Sequence, residues 1–441
     1  MTALQPTTRD FSRVPIQRDW SFAGKTIADT TYITHGYYTY PAKFIPQLAA
    51  RLINDYSAEG DTVVDPFMGS GTTVVEALVN NRIGIGTDIN EIAVLLAKVK
   101  TTPVTRSVLV DAFAEIMDKA SPDLNGATLL NGCRAHNKQL GAQEIRLPDR
   151  VDYWFKPHIK SVLLALLQAI REIRATDARD FFLVAFAQIL KSCSIWTQKS
   201  VKPTRDFAKQ EIDPLAKFKW QANKMIARHA DFNALLNAET KARIAKRRII
   251  RNADSRSLPC ADGGADLMVT SPPYVTSYEY ADLHQLASLW FGYLDDLQTF
   301  RKKFIGSGAR VRKPVELQSV LADDIVSQLG DSKKAFEVRN YFADMLETFV
   351  EMRRALKVGG KAAVVIGNTK LRGVNIRNAE VFHEQFENIG FTTHDVIHRE
   401  IPSKMLPSTR DSNTGRFVKS ANAKFLAYPT EFILVVEKAG A

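Results

Sequence analysis

Cysteine is scarce in these 441 residues: there are three, Cys133, Cys193 and Cys260, and none sits at a spacing that pairs or ligates a metal. A disulfide framework and a zinc site are thereby excluded, and a reducing cytoplasm is the expected setting. His35, His158 and His284 show no metal spacing either and read as structural or surface residues. Long apolar runs are also missing. The longest, FFLVAFAQIL at 181–190, is too short to span a bilayer. The amino terminus is polar with no apolar signal core, so a soluble protein with no membrane partner is expected. No internal repeat or low-complexity segment breaks the chain. What is there is ordinary globular composition, 45% hydrophobic and 24% charged. The formal charge of +11 points to a polyanionic partner, nucleic acid ahead of a membrane surface.

Short β-branched runs alternate with amphipathic ones. DTVV (61–64) reads as a buried strand, TTVVEALVNN (72–81) as a helix, RIGIGTD (82–88) as a strand and NEIAVLLAKVK (90–100) as a helix. The alternation lapses over 101–246, where the segments read as helical, and then resumes. RRIIRNAD (247–254) and ADLMVT (265–270) follow as the third and fourth strands. A helical run is expected over 279–294, and a longer helix through Phe342 and Phe349 is expected to stop at Gly359-Gly360. KAAVVIGN, FTTHDVIH and EFILVVEK supply strands five to seven. The pattern predicts an α/β fold: a doubly wound, Rossmann-like seven-stranded sheet with a large, mainly helical insertion at 101–246 and a smaller one near 297–333.

In such sheets ligands bind at the carboxyl edge of the strands, and the polar signatures fall there. DPFMGSGTT (65–73) follows the first strand. Gly69 and Gly71 omit the Cβ atoms that would keep a ligand off the backbone, and the helix opening at Thr72 offers free amide donors. The turn lacks the Lys-Ser/Thr of a phosphate loop and the G-x-G-x-x-G spacing of a dinucleotide site. Asp88, after the second strand, suits a ribose diol but also suits a helix cap. Phe67 is as compatible with a core position as with ligand contact, and Lys43 reads as a solvated helix charge. Ser271-Pro272-Pro273-Tyr274 ends the fourth strand in a rigid extended turn.

DPFMGSGTT, then GTDIN, then TSPPY resembles the S-adenosylmethionine-dependent DNA methyltransferases that modify cytosine N4 or adenine N6. HGYYTYPAKFIPQLAARLI (35–53) is similar to that family's helix ahead of the first strand, which helps enclose the methionine end of the cofactor. RNADSRSLP resembles its third strand-end signature. The resemblance covers roughly 35–100 and 247–437. It implies that residues 1–34 are an extension and that 35–100 and 247–441 form the cofactor-binding and catalytic domain; 101–246 carries no family signature, and its position and basic charge make it the expected target-recognition region. It further implies that Asp65, Phe67, Gly69, Gly71 and Thr72 line the methionine side of S-adenosylmethionine, that Asp88 holds the ribose, and that Asp254 lies near the adenine.

The chemistry gives the prolines a purpose. An exocyclic amine on cytosine or adenine is a poor nucleophile because its lone pair is delocalised into the ring. The Ser271 hydroxyl and Pro272 carbonyl are acceptors that grip its hydrogens, the double proline holds them in place, and Tyr274 offers a stacking face for a base swung out of the duplex. Methyl transfer is then a direct displacement, with no cysteine needed. Cys260, in a Pro-Cys pair, resembles the nucleophile of cytosine-C5 enzymes but lacks their context and is not expected to be catalytic. Ser-Pro-Pro-Tyr is the commoner spelling in the cytosine-N4 branch, Asp-Pro-Pro-Tyr in the adenine branch. An RNA amino-methyltransferase and a non-catalytic nucleic-acid-binding protein are the other readings. Between Lys199 and Arg251 fourteen Lys and Arg face five Asp and Glu, interleaved with aromatics. Lys199, Lys202 and Arg205 there, with Arg310, Arg312, Arg410 and Arg416 in two basic loops, are expected to contact the phosphates of double-stranded DNA. A separately acting cognate restriction endonuclease is a conceivable second partner.

Overall fold

The structure is a computed structural model that describes residues 10–41, 43–120, 145–198, 200, 203–275, 280–294, 297–307, 315–402, 409–410, 425–426 and 429–440. Helix α1 (Pro46–Tyr56) opens with proline at its first turn, where no amide donor is needed. The expected element at 35–53 is thus helical only in its second half, and a 3-10 turn at Ile33–Gly36 precedes it. Strand β1 (Thr62–Asp65), helix α2 (Thr72–Val79), strand β2 (Ile83–Asp88) and helix α3 (Glu91–Thr101) follow, then β3 (Arg248–Asn252) and β4 (Ala265–Thr270). Strands β5 (Leu356–Ile366), β6 (Phe391–Glu400) and β7 (Thr430–Lys438) complete a sheet of order β3-β2-β1-β4-β5-β7-β6. β7 is antiparallel to both neighbours, and the other pairings are parallel.

The central strands are apolar on both faces, as a covered parallel sheet requires. In β5, Ala363 and Val365 pack with Leu48, Leu52 and Ile53 of α1 on one face. Ala362, Val364 and Ile366 pack on the other with Phe342 and Phe349 of helix α9 (Lys333–Ala355) and Phe382 of helix α10 (Asn378–Asn388). Two details of the sequence reading are corrected here. Helix α9 ends at Ala355, and Gly359, at φ +77, lies inside β5 beside a register irregularity with β4. The run after Ser-Pro-Pro-Tyr is two short helices, Tyr280–Leu283 and α8 (Gln285–Phe291), broken at His284.

The insertion contributes α4 (Arg106–Ala120), α5 (Pro157–Arg171), α6 (Thr176–Cys193) and α7 (Pro214–Leu235). These helices bury Phe181, Phe182, Phe186, Leu166 and Phe218 in one cluster that also takes in Ile92 and Leu96 of α3 and Trp290 of α8. The insertion therefore shares its core with the catalytic half.

Candidate active site

A half-open cleft lies at the carboxyl edge of the sheet, the place where such sheets bind ligands. Its walls come from the ends of β1 and β2, the segments after β3 and β4, the stretch before α1 and the small insertion. It therefore brings together Asp65, Phe67, Gly69, Thr72, Asp88, Asp254, Ser271 and Pro273, residues drawn from four strand ends.

The turn after β1 is held by its acids. Asp65 accepts from the Thr270 hydroxyl (2.6 Å) and the Phe67 amide (3.0 Å), which ties the end of β1 to the end of β4. Asp88 accepts from the Gly69 amide (3.0 Å) and the Asn90 amide (2.8 Å), while Asn90 caps α3. Asp88 is therefore not the cap. Burial pushes both carboxyls up to about 6, against the amide and hydroxyl donors that favour their charge. Gly69 is at φ +47, and a Cβ there would stand 3.1 Å from the Tyr40 ring.

Gly71 is not among the residues lining the cleft. At φ +76 it starts α2 in a left-handed conformation, and an added Cβ would meet the Ala97 Cβ of α3 at 2.8 Å. Helix packing by itself requires a glycine here. Phe67 both lines the cleft and packs on the sheet core, so the two readings of it coexist. Asp254 lines the cleft with its carboxylate already forked by Arg256, at 2.9 and 2.5 Å. Arg256 also donates to Asp344 (2.8 Å), which accepts from the Gly306 amide (2.9 Å) and so holds the loop bearing Phe304 and Ile305 against the cleft.

Ser271 lines the cleft partly buried, and Pro272 is buried behind it. The Tyr274 hydroxyl donates to Glu431 on β7 (3.1 Å), Glu431 pairs with Arg399 on β6, and a Cβ on Gly367 would touch the Tyr274 ring at 3.1 Å. The ring is thus fixed by the two last strands, a support with no local sequence signal. Cys260 lies outside the cleft walls, and burial raises its thiol, so it is not a thiolate nucleophile.

Lys43 departs most from expectation. It precedes α1, is partly buried, lines the cleft and donates to the His35 carbonyl at 2.8 Å. Burial, with Arg228 nearby, pushes its ammonium down to about 8. Behind it, buried Glu76 accepts from Tyr32 (2.6 Å) and pairs with His35 (2.7 Å), and buried Lys100 donates to the Ser70 carbonyl (2.6 Å). His35 and His284 are buried as structural residues, and His158 is exposed, paired with Glu211. Lys199, Lys202, Arg310, Arg312 and Arg416 lie outside the described residues, as does the side chain of Arg410. Among the described residues no acid or histidine cluster suits a metal, and no helix is long and apolar enough to cross a membrane.

A 3-2-1-4-5-7-6 sheet with a glycine turn after β1 and an acid closing β2 defines a Rossmann-like methyltransferase. The N6/N4 DNA methylase family profile matches residues 8–99 and 265–441, more than half of the chain, which belongs to that family. Its methyl donor is accordingly S-adenosylmethionine. The chain is similar to the Type II methyltransferase M.MvaI of Kocuria varians, 26% identical over 88% of each chain. It is also similar to M.MjaII of Methanocaldococcus jannaschii, 23% identical over 90% of this chain and 81% of that one. A solved SAM-dependent methyltransferase of Methanosarcina mazei covers 88% of this chain and 97% of its own at 10% identity and TM-score 0.30, a likeness too slight to decide anything. The cleft fits the donor: Ser70 Oγ, Thr72 Oγ1 and Asn90 Nδ2 are buried there without partners, beside Lys43 and Asp88.

Proposed function

We propose that the chain methylates the exocyclic N4 of cytosine at a specific sequence in double-stranded DNA. The observation that carries this reading is Ser271, a neutral hydroxyl rather than a carboxylate, on the cleft wall at the head of a doubly proline-fixed turn. When bound, S-adenosylmethionine supplies an electrophilic methyl group. The protein's part is to hold the amine. Ser271 Oγ and the Pro272 carbonyl accept its two N–H bonds and turn the nitrogen lone pair toward the methyl, and the prolines remove the reorganisation this would otherwise need. The Tyr274 ring, immobilised through Glu431 and Gly367, is the face on which an extruded base stacks. The bound donor would supply its methyl with the sulfonium leaving as the neutral thioether, the methylated amine would give up one proton to solvent, and no covalent enzyme adduct would form.

In the cleft, Asp88 would take the ribose hydroxyls and the Asp254 segment the adenine ring. Ser70, Thr72 and Lys43 would take the methionine end, since a partly buried ammonium beside two unpartnered hydroxyls suits a carboxylate. The insertion would supply the recognition surface, with Lys199 and Lys202 on phosphates, and a DNA substrate would place the enzyme on the nucleoid. A separately acting cognate endonuclease would complete a restriction-modification pair. Adenine N6 is the alternative, because it offers the same amino group beside a ring nitrogen. Digesting methylated DNA to nucleosides and weighing the product decides: N4-methylcytosine is expected, and N6-methyladenine would overturn the assignment of the base.

A further inference from the structure

Beyond α6 the chain doubles back as a short antiparallel ribbon. The Thr197 amide donates to the Thr204 carbonyl (2.8 Å), the Asp206 amide to the Ile195 carbonyl (2.7 Å), and Trp196 pairs with Arg205. The base of the ribbon is rigid. Lys209 Nζ donates to the carbonyls of Lys191, Ser194 and Trp196 at 2.7, 2.8 and 2.8 Å, closing the ribbon onto the end of α6. The Trp196 ring stacks on buried Trp154, with centroids 5.2 Å apart. Next to Trp154, the Phe155 ring meets Trp290 of α8, the helix that follows Ser-Pro-Pro-Tyr. The ribbon is therefore tied through Trp154 and Phe155 to α8.

On this base the Arg205 guanidinium lies over two rings, 4.1 Å from the Tyr153 centroid and 4.4 Å from the Phe207 centroid. Phe207 is 68% exposed and Tyr153 43%, large rings left at the surface, and Arg150 also lies over the Tyr153 ring, farther off at 5.4 Å. Arg205 pairs with no carboxylate among the described residues, and its Nε is buried without a partner. Two features follow. Contact with two rings restricts the guanidinium, so less side-chain entropy remains to be lost on binding. It also leaves the edge of the fork, with its terminal N–H groups, to meet a ligand. A phosphate contact needs charge but little direction, and a solvated lysine supplies it as well. A fixed in-plane fork is what the O6 and N7 acceptors of guanine require, and a two-stranded ribbon fits the major groove in which they lie.

We propose that Arg205 reads the major-groove edge of a guanine in the recognition sequence, with Tyr153 and Phe207 as its positioning residues. This rests on the chain acting on duplex DNA, and it replaces the phosphate role expected of Arg205 from sequence.

The experiment uses the full chain. Methylated sites are mapped first by sequencing DNA modified by the wild-type enzyme. If no site is methylated, the parent reading fails at this step, before any Arg205 variant is made. Binding with S-adenosylhomocysteine is then measured on the mapped duplex, on a scrambled one, and on duplexes with each guanine replaced in turn by 7-deazaguanine, which lacks the N7 acceptor. The wild type should lose affinity at one guanine. Arg205→Ala should be indifferent to that replacement and lose about 5- to 150-fold of its discrimination. Arg205→Lys should not restore it, and Phe207→Ala should lose part of it. The salt slope and the S-adenosylhomocysteine affinity should stay at wild-type values. The proposal is overturned if Arg205→Ala weakens all duplexes equally with a slope flatter by about 0.9. It is equally overturned if the variant keeps the wild-type response to 7-deazaguanine, or if the mapped site contains no guanine.

Discussion

At the scale of single residues, the proposed roles separate groups that hold the donor from groups that act on the base, and the separation can be measured. Ser271→Ala should lower kcat about a hundredfold or more while leaving S-adenosylhomocysteine affinity unchanged by calorimetry, because the hydroxyl acts only on the amine. Cys260→Ser should leave turnover near wild type; its raised thiol lies off the cleft. A dead cysteine variant beside an active Ser271→Ala would refute direct transfer to the amine. Asp65 allows a test without substrate. Its carboxyl is raised from 3.8 to about 6 by burial, so the folded chain holds a proton that the unfolded chain releases near pH 4. The stability this gives is full below pH 4 and is lost as pH rises through 6, up to roughly 3 kcal/mol. Denaturant titrations of ligand-free Asp65→Asn should therefore show a flatter decline between pH 4 and 6 than the wild type. An unchanged profile would mean that Asp65 does not titrate in that window.

Among the elements, α2 and α3 are set by one glycine. With φ +76 and Ala97 2.8 Å from an ideal Cβ, Gly71→Val combines a left-handed β-branched residue with overpacking, a loss of roughly 2 to 5 kcal/mol. A thermal melt should show a strongly lowered Tm; a variant that melts like the wild type but does not bind the donor would return Gly71 to the cleft. The residues that the sequence singles out at the strand ends coincide with the cleft lining at Asp65, Phe67, Gly69, Thr72, Asp88, Asp254, Ser271 and Pro273, and not at Gly71, Pro272 or Tyr274. The sequence could not separate Gly69 from Gly71, because which glycine faces the ligand depends on how α2 packs on α3. Lys43 was misread for a related reason: a lysine reads as solvated unless something distant buries it, and here the neighbours are His35 and Arg228. The Glu431 and Arg399 support of Tyr274 joins residues more than a hundred positions away. Gly359-Gly360 carried a helix-stop signal that the structure uses inside a strand.

For the whole molecule, the 101–246 insertion is bound to the catalytic half by one continuous core running from α6 and α7 through α3 to Trp290. Removing 102–246 would strip Ile92, Leu96 and Trp290 of their cover, so the shortened chain should be insoluble or lack a cooperative melt by circular dichroism. A soluble product that still bound S-adenosylhomocysteine would show that the sheet stands alone.

The seventh strand carries a different consequence. β7 is the last sheet strand in chain order, yet it lies inside the sheet, between β5 and β6. While the chain is being synthesised, β5 and β6 must wait as two unsatisfied edges for a strand that has not yet been made. A ribosome that stalls after β6 leaves no smaller enzyme behind, only an open sheet and a Tyr274 without its Glu431 anchor. If Tyr274 stacks the base as proposed, its ring gains its anchor only when β7 has entered the sheet.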